Sequence, residues 1–120
     1  MSYDTHALIH KLMTLPMEGS EASIAAAGAL IAEDARFWQQ GAGWIRREDK
    51  LAAWRMMAPM LSSLRSDVQS IVVEGERFAV EMLITTPDDR MVATLFATVR
   101  GGRIVEAREY IQSLGASAPF

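Results

Sequence analysis

The sequence predicts an α+β domain, a group of helices followed by a mostly antiparallel sheet. Three observations predict it. The first half carries apolar residues at helical spacing, as in Leu8, Leu12 and Leu15 and again in Leu51, Trp54, Ala58 and Leu61. The second half is a succession of apolar and β-branched runs broken at Gly75-Glu76, Pro87-Asp88 and Gly101-Gly102. The two kinds of element are segregated along the chain rather than alternating, which favours α+β over α/β. At 120 residues a single domain, 1–120, accounts for the whole length, with a core burying roughly two-thirds of the unfolded surface.

In chain order, a first helix is expected from about Asp4 to Leu15, where Pro16 stops it because proline cannot continue the hydrogen-bond ladder. A second helix follows Ser20, whose hydroxyl suits an N-cap, with Glu21 in the first turn. Its stripe of Ile24, Ala27, Leu30 and Ile31 carries it to Glu33-Asp34. A short strand, Arg36 to Gln40, and a loop, Gly41 to Arg47, precede a third helix from about Glu48 to Leu64, kinked at Pro59. Strands are then expected at Val68 to Glu74, Arg77 to Thr86, Arg90 to Arg100 and Arg103 to Gln112.

The composition is 50% hydrophobic and 22% charged with a formal net charge of -3, and the basic residues are scattered rather than striped. That balance argues against nucleic acid as a partner. There is no cysteine, so disulfides, zinc–thiolate sites and thiol nucleophiles are excluded. The segment Met1 to Leu15 lacks the continuous apolar core of a secretory signal, and the longest apolar run, Ala25 to Ala32, is far short of a membrane span. The expectation is a cytoplasmic protein with no membrane partner.

The turns decide which carboxylates meet. If Pro87-Asp88 and Gly101-Gly102 are two-residue hairpin loops, Glu81 lies opposite Thr94 and Thr94 opposite Glu109. Both acids then share a face with Ala79, Leu83, Phe96, Ala107 and Ile111, and carboxylates on an interior face call for a reason. Strands lie about 4.8 Å apart, so acids on alternate strands stand about 10 Å apart at Cβ, and their arms can close on a water or a substrate oxygen. One protonated and one ionised carboxyl make an acid/base pair. The plainer alternative is that each acid is neutralised by an arginine such as Arg36 or Arg55, or that Glu109 bonds Thr94. The opposite face would carry Phe78, Val80, Met82 and Ile84 beside Ala93, Leu95, Ala97 and Val99, with Glu106, Arg108 and Tyr110 at its edge. Three helices cover one face only, so the other is expected to be buried in a homodimer.

His6 and His10 share a face of the first helix, but no third ligand accompanies them, and no metal site is expected. Trp38, Trp44 and Trp54 with Met56, Met57 and Met60 are flat and adaptable surfaces that suit either core packing or a hydrophobic ligand. Gly41 and Gly43 give the loop before Trp44 freedom, and no phosphate-binding or dinucleotide fingerprint occurs, so no cofactor is called for.

The run Ile31-Ala32-Glu33-Asp34-Ala35-Arg36-Phe37, the order of elements and the closing Gly102-Arg103-Ile104-Val105-Glu106-Ala107-Arg108-Glu109-Tyr110 resemble the nuclear-transport-factor-two-like superfamily, in its SnoaL-like and limonene-epoxide-hydrolase-like branch. The resemblance implies a strongly curved sheet wrapped on three helices as a cone-shaped half barrel, an apolar pocket inside, and a homodimer across the outer sheet face. In the epoxide hydrolases one acid activates water, a second protonates the epoxide, and an arginine holds both. Glu81 and Glu109 match the acids, whereas Ala79 stands at the arginine position and Phe37 and Gln39 at the Tyr and Asn that hold the water. The general base of ketosteroid isomerases falls at Gln39. The resemblance thus implies a small-molecule enzyme acting by acid/base chemistry at Glu81 and Glu109 on a terpenoid, polyketide or steroid-like compound. Phe37, Gln39, Trp44, Trp54, Thr94 and Phe96 would line its pocket. A non-catalytic ligand-binding module, or a dimerisation module whose pocket is filled by its own side chains, is the alternative.

Overall fold

A computed structural model describes residues 4–115. The Asp4 carboxylate accepts a hydrogen bond from the Ala7 amide at 3.0 Å and opens α1, Thr5–Thr14. Pro16 ends the α-helical ladder as expected, and the chain tightens into a 3₁₀ turn, Leu15–Glu18. Ser20 and Ser23 exchange side-chain and backbone bonds across the first turn of α2, Glu21–Gly28. The remaining elements are β1 (Ile31–Gln39), β2 (Gly43–Arg46), α3 (Arg47–Leu61), β3 (Arg65–Glu74), β4 (Arg77–Thr85), β5 (Arg90–Arg100) and β6 (Arg103–Ser113).

Two segments differ from the sequence expectation. The second helix stops at Gly28 instead of running on to Glu33-Asp34, because the Arg47 guanidinium takes the Gly28 carbonyl at 3.0 Å and the Ile31 carbonyl at 3.2 Å. Leu30 is thereby free to accept from the Ile104 amide at 2.8 Å, and β1 begins at Ile31 rather than Arg36. The expected loop Gly41 to Arg47 contains β2, a short antiparallel partner of β1 in which Trp44 faces Trp38.

The six strands form one sheet in the order β2-β1-β6-β5-β4-β3, antiparallel except where β1 runs parallel to β6. The sheet is curved and the helices pack on one side of it. At the end of β6 the Ser113 hydroxyl, more than the Arg90 and Gly115 amides, outweighs desolvation and holds the Asp89 carboxyl below the usual carboxylate range. This ties the β4–β5 turn to the last strand.

The register of β4 on β5 is the expected one, with Glu81 opposite Thr94. The register of β5 on β6 is not. Arg100 pairs with Arg103 and Val99 with Ile104, but Thr98 then pairs with Glu106, leaving Val105 as a bulge. Beyond it Thr94 faces Tyr110 and Leu95 faces Glu109. A one-residue slip exchanges the two faces of a strand. The face covered by the helices is therefore Phe78, Val80, Met82 and Ile84 on β4, Ala93, Leu95, Ala97 and Val99 on β5, and Ile104, Ala107 and Glu109 on β6. Ala79, Glu81, Leu83, Thr94 and Phe96, expected inside with Glu109, lie on the outer face. Glu81 and Glu109 do not share a side of the sheet.

Candidate functional site

Glu109 stands on β6 between Gln39 on β1 and Leu95 on β5, on the helix-covered side. Its Oε1 accepts from Gln39 Nε2 at 3.0 Å and from Lys50 Nζ at 3.3 Å. Neither expected arginine reaches it: Arg36 bonds Glu106 at 3.2 Å and Arg55 bonds Glu21 at 3.1 Å. The Lys50 side chain is 7% exposed and that of Glu109 23%, so the pair is an ion pair at the inner edge of the sheet.

Lys50 is placed by the start of α3. The Arg46 amide donates to the Asp49 carboxylate at 3.0 Å, and Arg47 is clamped to Gly28 and Ile31 as described, so the first turn is fixed against the sheet. One turn later Trp54 lies on the same helical face, and the ammonium sits 5.4 Å from the Trp54 ring centroid and 5.6 Å from that of Phe37. Both lie within the range of cation–π attraction. Lys50 was not singled out from sequence. Stepping back four residues from Trp54 along the apolar stripe lands on it, and a charged residue in that place was the available signal.

Lys50, Glu109, Phe37 and Trp54 face a cavity of about 60 Å³. Met13 and Met17 close it on the α1 side, and Met82 and Leu95 form part of its floor. Among the expected pocket residues, Phe37 and Trp54 line this cavity and Gln39 holds Glu109. Trp44, Thr94 and Phe96 belong to the other face. Trp44 there lies between Arg36, 4.6 Å from its ring centroid, and Arg108, at 5.6 Å. Glu81 is also outside, and the inward residues beside it on β4 are Val80 and Met82. His6 and His10 are exposed, and among the described residues no group of three or more acidic or imidazole side chains could hold a metal. No helix among the described residues is long and apolar enough to cross a membrane.

The outer face carries an open groove of about 690 Å³, floored by Val72, Ala79, Phe96 and Tyr110 and flanked by the acids Glu74 and Glu106 and the arginines Arg77 and Arg108. Tyr110 meets Trp38 at 5.2 Å and the edge of Phe96 at 6.2 Å between centroids.

A curved, mostly antiparallel sheet closed by three helices, with a cavity between them, defines a cone-shaped α+β domain of the nuclear-transport-factor-two-like type. The SnoaL-like domain profile matches residues 20–107, and the chain belongs to that family. Its fold is shared with IdmH from Streptomyces antibioticus, a candidate polyketide cyclase, at 21% identity and a TM-score of 0.77 over 92% of this chain and 93% of that one. A candidate ketosteroid isomerase from Kribbella flavida is 24% identical, with a TM-score of 0.72 over 97% of this chain and 83% of its own. A candidate SnoaL-like polyketide cyclase from Jannaschia is 12% identical with a TM-score of 0.72, covering 93% of this chain and 91% of its own. No curated protein sequence matches the chain.

Proposed function

We propose that the protein is a small-molecule enzyme in which Glu109 is the general acid/base, acting on a hydrophobic substrate of terpenoid, polyketide or steroid-like type without a cofactor. The observation that carries this is the placement of Glu109. One carboxylate oxygen is held by Gln39 and Lys50 at the wall of an apolar cavity, and the other has no hydrogen-bond partner among the described residues. A carboxylate so oriented takes a proton from a bound carbon or oxygen and returns it elsewhere, which serves isomerisation, cyclisation or hydrolysis. The names carried by the structural relatives, polyketide cyclase and ketosteroid isomerase, fit that chemistry. Glu81 has no part in it, since its strand presents it to the outer face.

Pockets that hold drug-sized ligands measure roughly 300–1,000 Å³, so a cavity of about 60 Å³ admits the reacting end of such a substrate only. The remainder needs Met13, Met17 and Trp54 to swing aside, and methionine has the rotatable bonds to do so. The same small volume favours a second reading, a dimerisation module whose pocket is filled by its own methionines. In either reading the outer groove fits a second copy of the chain.

A thermal-shift panel of neutral ketones, lactones, terpenoid epoxides, steroids and polyketide-like aromatics separates the readings, because a ligand at about 100 times its Kd stabilises the folded state by about 2.7 kcal/mol. Compounds that raise the melting temperature of the wild type, and whose turnover disappears in Glu109→Gln while Glu81→Gln retains it, are the expected result. No shift with any compound, in a protein that melts cooperatively, selects the filled-pocket module.

A further inference from the structure

We propose that Lys50 is itself a catalytic residue: its ammonium donates to the carbonyl oxygen of a neutral, enolisable ketone or 1,3-dicarbonyl compound and holds the charge that oxygen acquires when Glu109 removes the neighbouring carbon-bound proton. The inference rests on the reading of Glu109 as the acid/base and names the substrate class that the pair selects.

A lysine ammonium has three N–H donors. Among the described residues Nζ makes one hydrogen bond, the 3.3 Å contact to Glu109 Oε1, and its other neighbours are the ring faces of Phe37 and Trp54, which line the cavity. Ring faces attract the cation without saturating its donors, so an oxygen arriving in the cavity finds a donor already aimed and largely dry. A counter-ion for Glu109 alone would not need this placement. That side chain is 23% exposed and already bonded to Gln39, and a lysine of ordinary reach keeps its head in water, whereas Lys50 is 7% exposed.

Charge conservation gives the substrate class. With a neutral carbonyl compound bound, the cavity holds one cation and one carboxylate. Glu109 Oε2 then takes the proton, the carbon–hydrogen pair becomes the carbon–carbon double bond of an enolate, and the carbonyl π pair moves onto oxygen. The negative charge has passed from Glu109 to the enolate oxygen, and Lys50 opposes it before and after. No net charge is created in a low-dielectric space. An anionic substrate would leave the cavity with an excess negative charge and is disfavoured. The protonated Glu109 returns its proton to the same carbon or to a conjugated one. Alternatively the enolate carbon attacks a second carbonyl of the same molecule, closing a carbon–carbon bond while that oxygen takes the proton. A donor role, not attack by the amine, follows from the carboxylate and two ring faces around Nζ, all of which suit an ammonium.

Deuterium uptake from solvent at C2 of ethyl acetoacetate, followed by NMR, tests both the base and the donor. The wild type is expected to accelerate exchange over buffer, and Glu109→Gln to abolish the acceleration. Lys50→Met is expected to lower it by about 10²- to 10³-fold, the usual loss for one oxyanion donor, with Lys50→Arg retaining part. Loss in Glu109→Gln with Lys50→Met unchanged overturns the role of Lys50 and leaves the reading of Glu109 intact. Exchange unaffected by Glu109→Gln, or no acceleration by the wild type, overturns both. Should Lys50→Met fail to fold, the Nζ proton–nitrogen resonance of Lys50 in the wild type, assigned through Lys50→Arg, decides the matter. It is expected to move when ethyl acetoacetate, a neutral carbonyl compound, is added at a concentration at which the wild type accelerates exchange, and an unmoved resonance overturns the proposal. A covalent adduct on Lys50 after borohydride reduction with ethyl acetoacetate also overturns it, in favour of an imine.

Discussion

Lys50 and Glu109 form the most buried ion pair among the described residues, and its energetics follow from what each partner loses alone. Removing one member of a fully buried pair costs about 3–5 kcal/mol, because a charge is left without compensation. Glu109 is partly wet, so Lys50→Met is expected to cost less, about 1–3 kcal/mol by urea denaturation. Adding Glu109→Gln removes the stranded charge and keeps an amide beside Gln39, so the double variant should be more stable than Lys50→Met alone. Additive losses would mean that the 3.3 Å contact carries no coupling. Glu81→Gln provides the contrast: it faces outward and should stay within about 0.5 kcal/mol of the wild type. At this scale the sequence made Glu109 legible as an acid in an unexpected place. It did not make Lys50 legible, because a lysine in the first turns of a helix is ordinarily solvated.

The elements were legible wherever local chemistry decided them. Pro16, the serine cap at Ser20 and the glycine turn at Gly101-Gly102 act within a few residues, and the corresponding boundaries agree with expectation. Boundaries set at long range were not. Arg47 ends α2 from 19 residues away, and the bulge at Val105 is fixed by the need to bury Ile104 and Ala107 together on a bending strand. That single extra residue separated Glu81 from Glu109. A second long-range constraint lies at Gly19, which follows the 3₁₀ turn with φ +69 and whose absent Cβ would stand 2.7 Å from the Ala58 carbonyl oxygen of α3. Both the left-handed backbone and the close approach require glycine. Gly19→Ala is therefore expected to cost about 2–4 kcal/mol, backbone strain plus displacement of α3. A denaturation midpoint within error of the wild type would show that the end of α3 moves aside freely and that the turn tolerates an alanine.

For the whole molecule, the outer face raises the question of a partner. The apolar stripe that sequence placed there is in fact the floor of the core, so the need for a second copy no longer rests on Val80, Leu95 and their neighbours. It rests on Phe96, 50% exposed in a groove that Val72 and Tyr110, also exposed, line with it. Exposed aromatics flanked by charges of both signs suit a self-complementary surface, since such a patch offers a second copy both apolar area and either partner of an ion pair. Sedimentation velocity is expected to give a dimer for the wild type. Phe96→Glu puts a charge in that patch and removes its apolar contact, so it should give a monomer. Because Phe96 points away from the core while Leu95, its neighbour in sequence, faces the cavity, the monomer should keep its fold and its hold on cavity ligands. A monomeric wild type would discard the self-association reading. A Phe96→Glu monomer that loses ligand binding would mean that dimer contact and cavity are coupled through β5, which their positions on opposite sides of the sheet do not require.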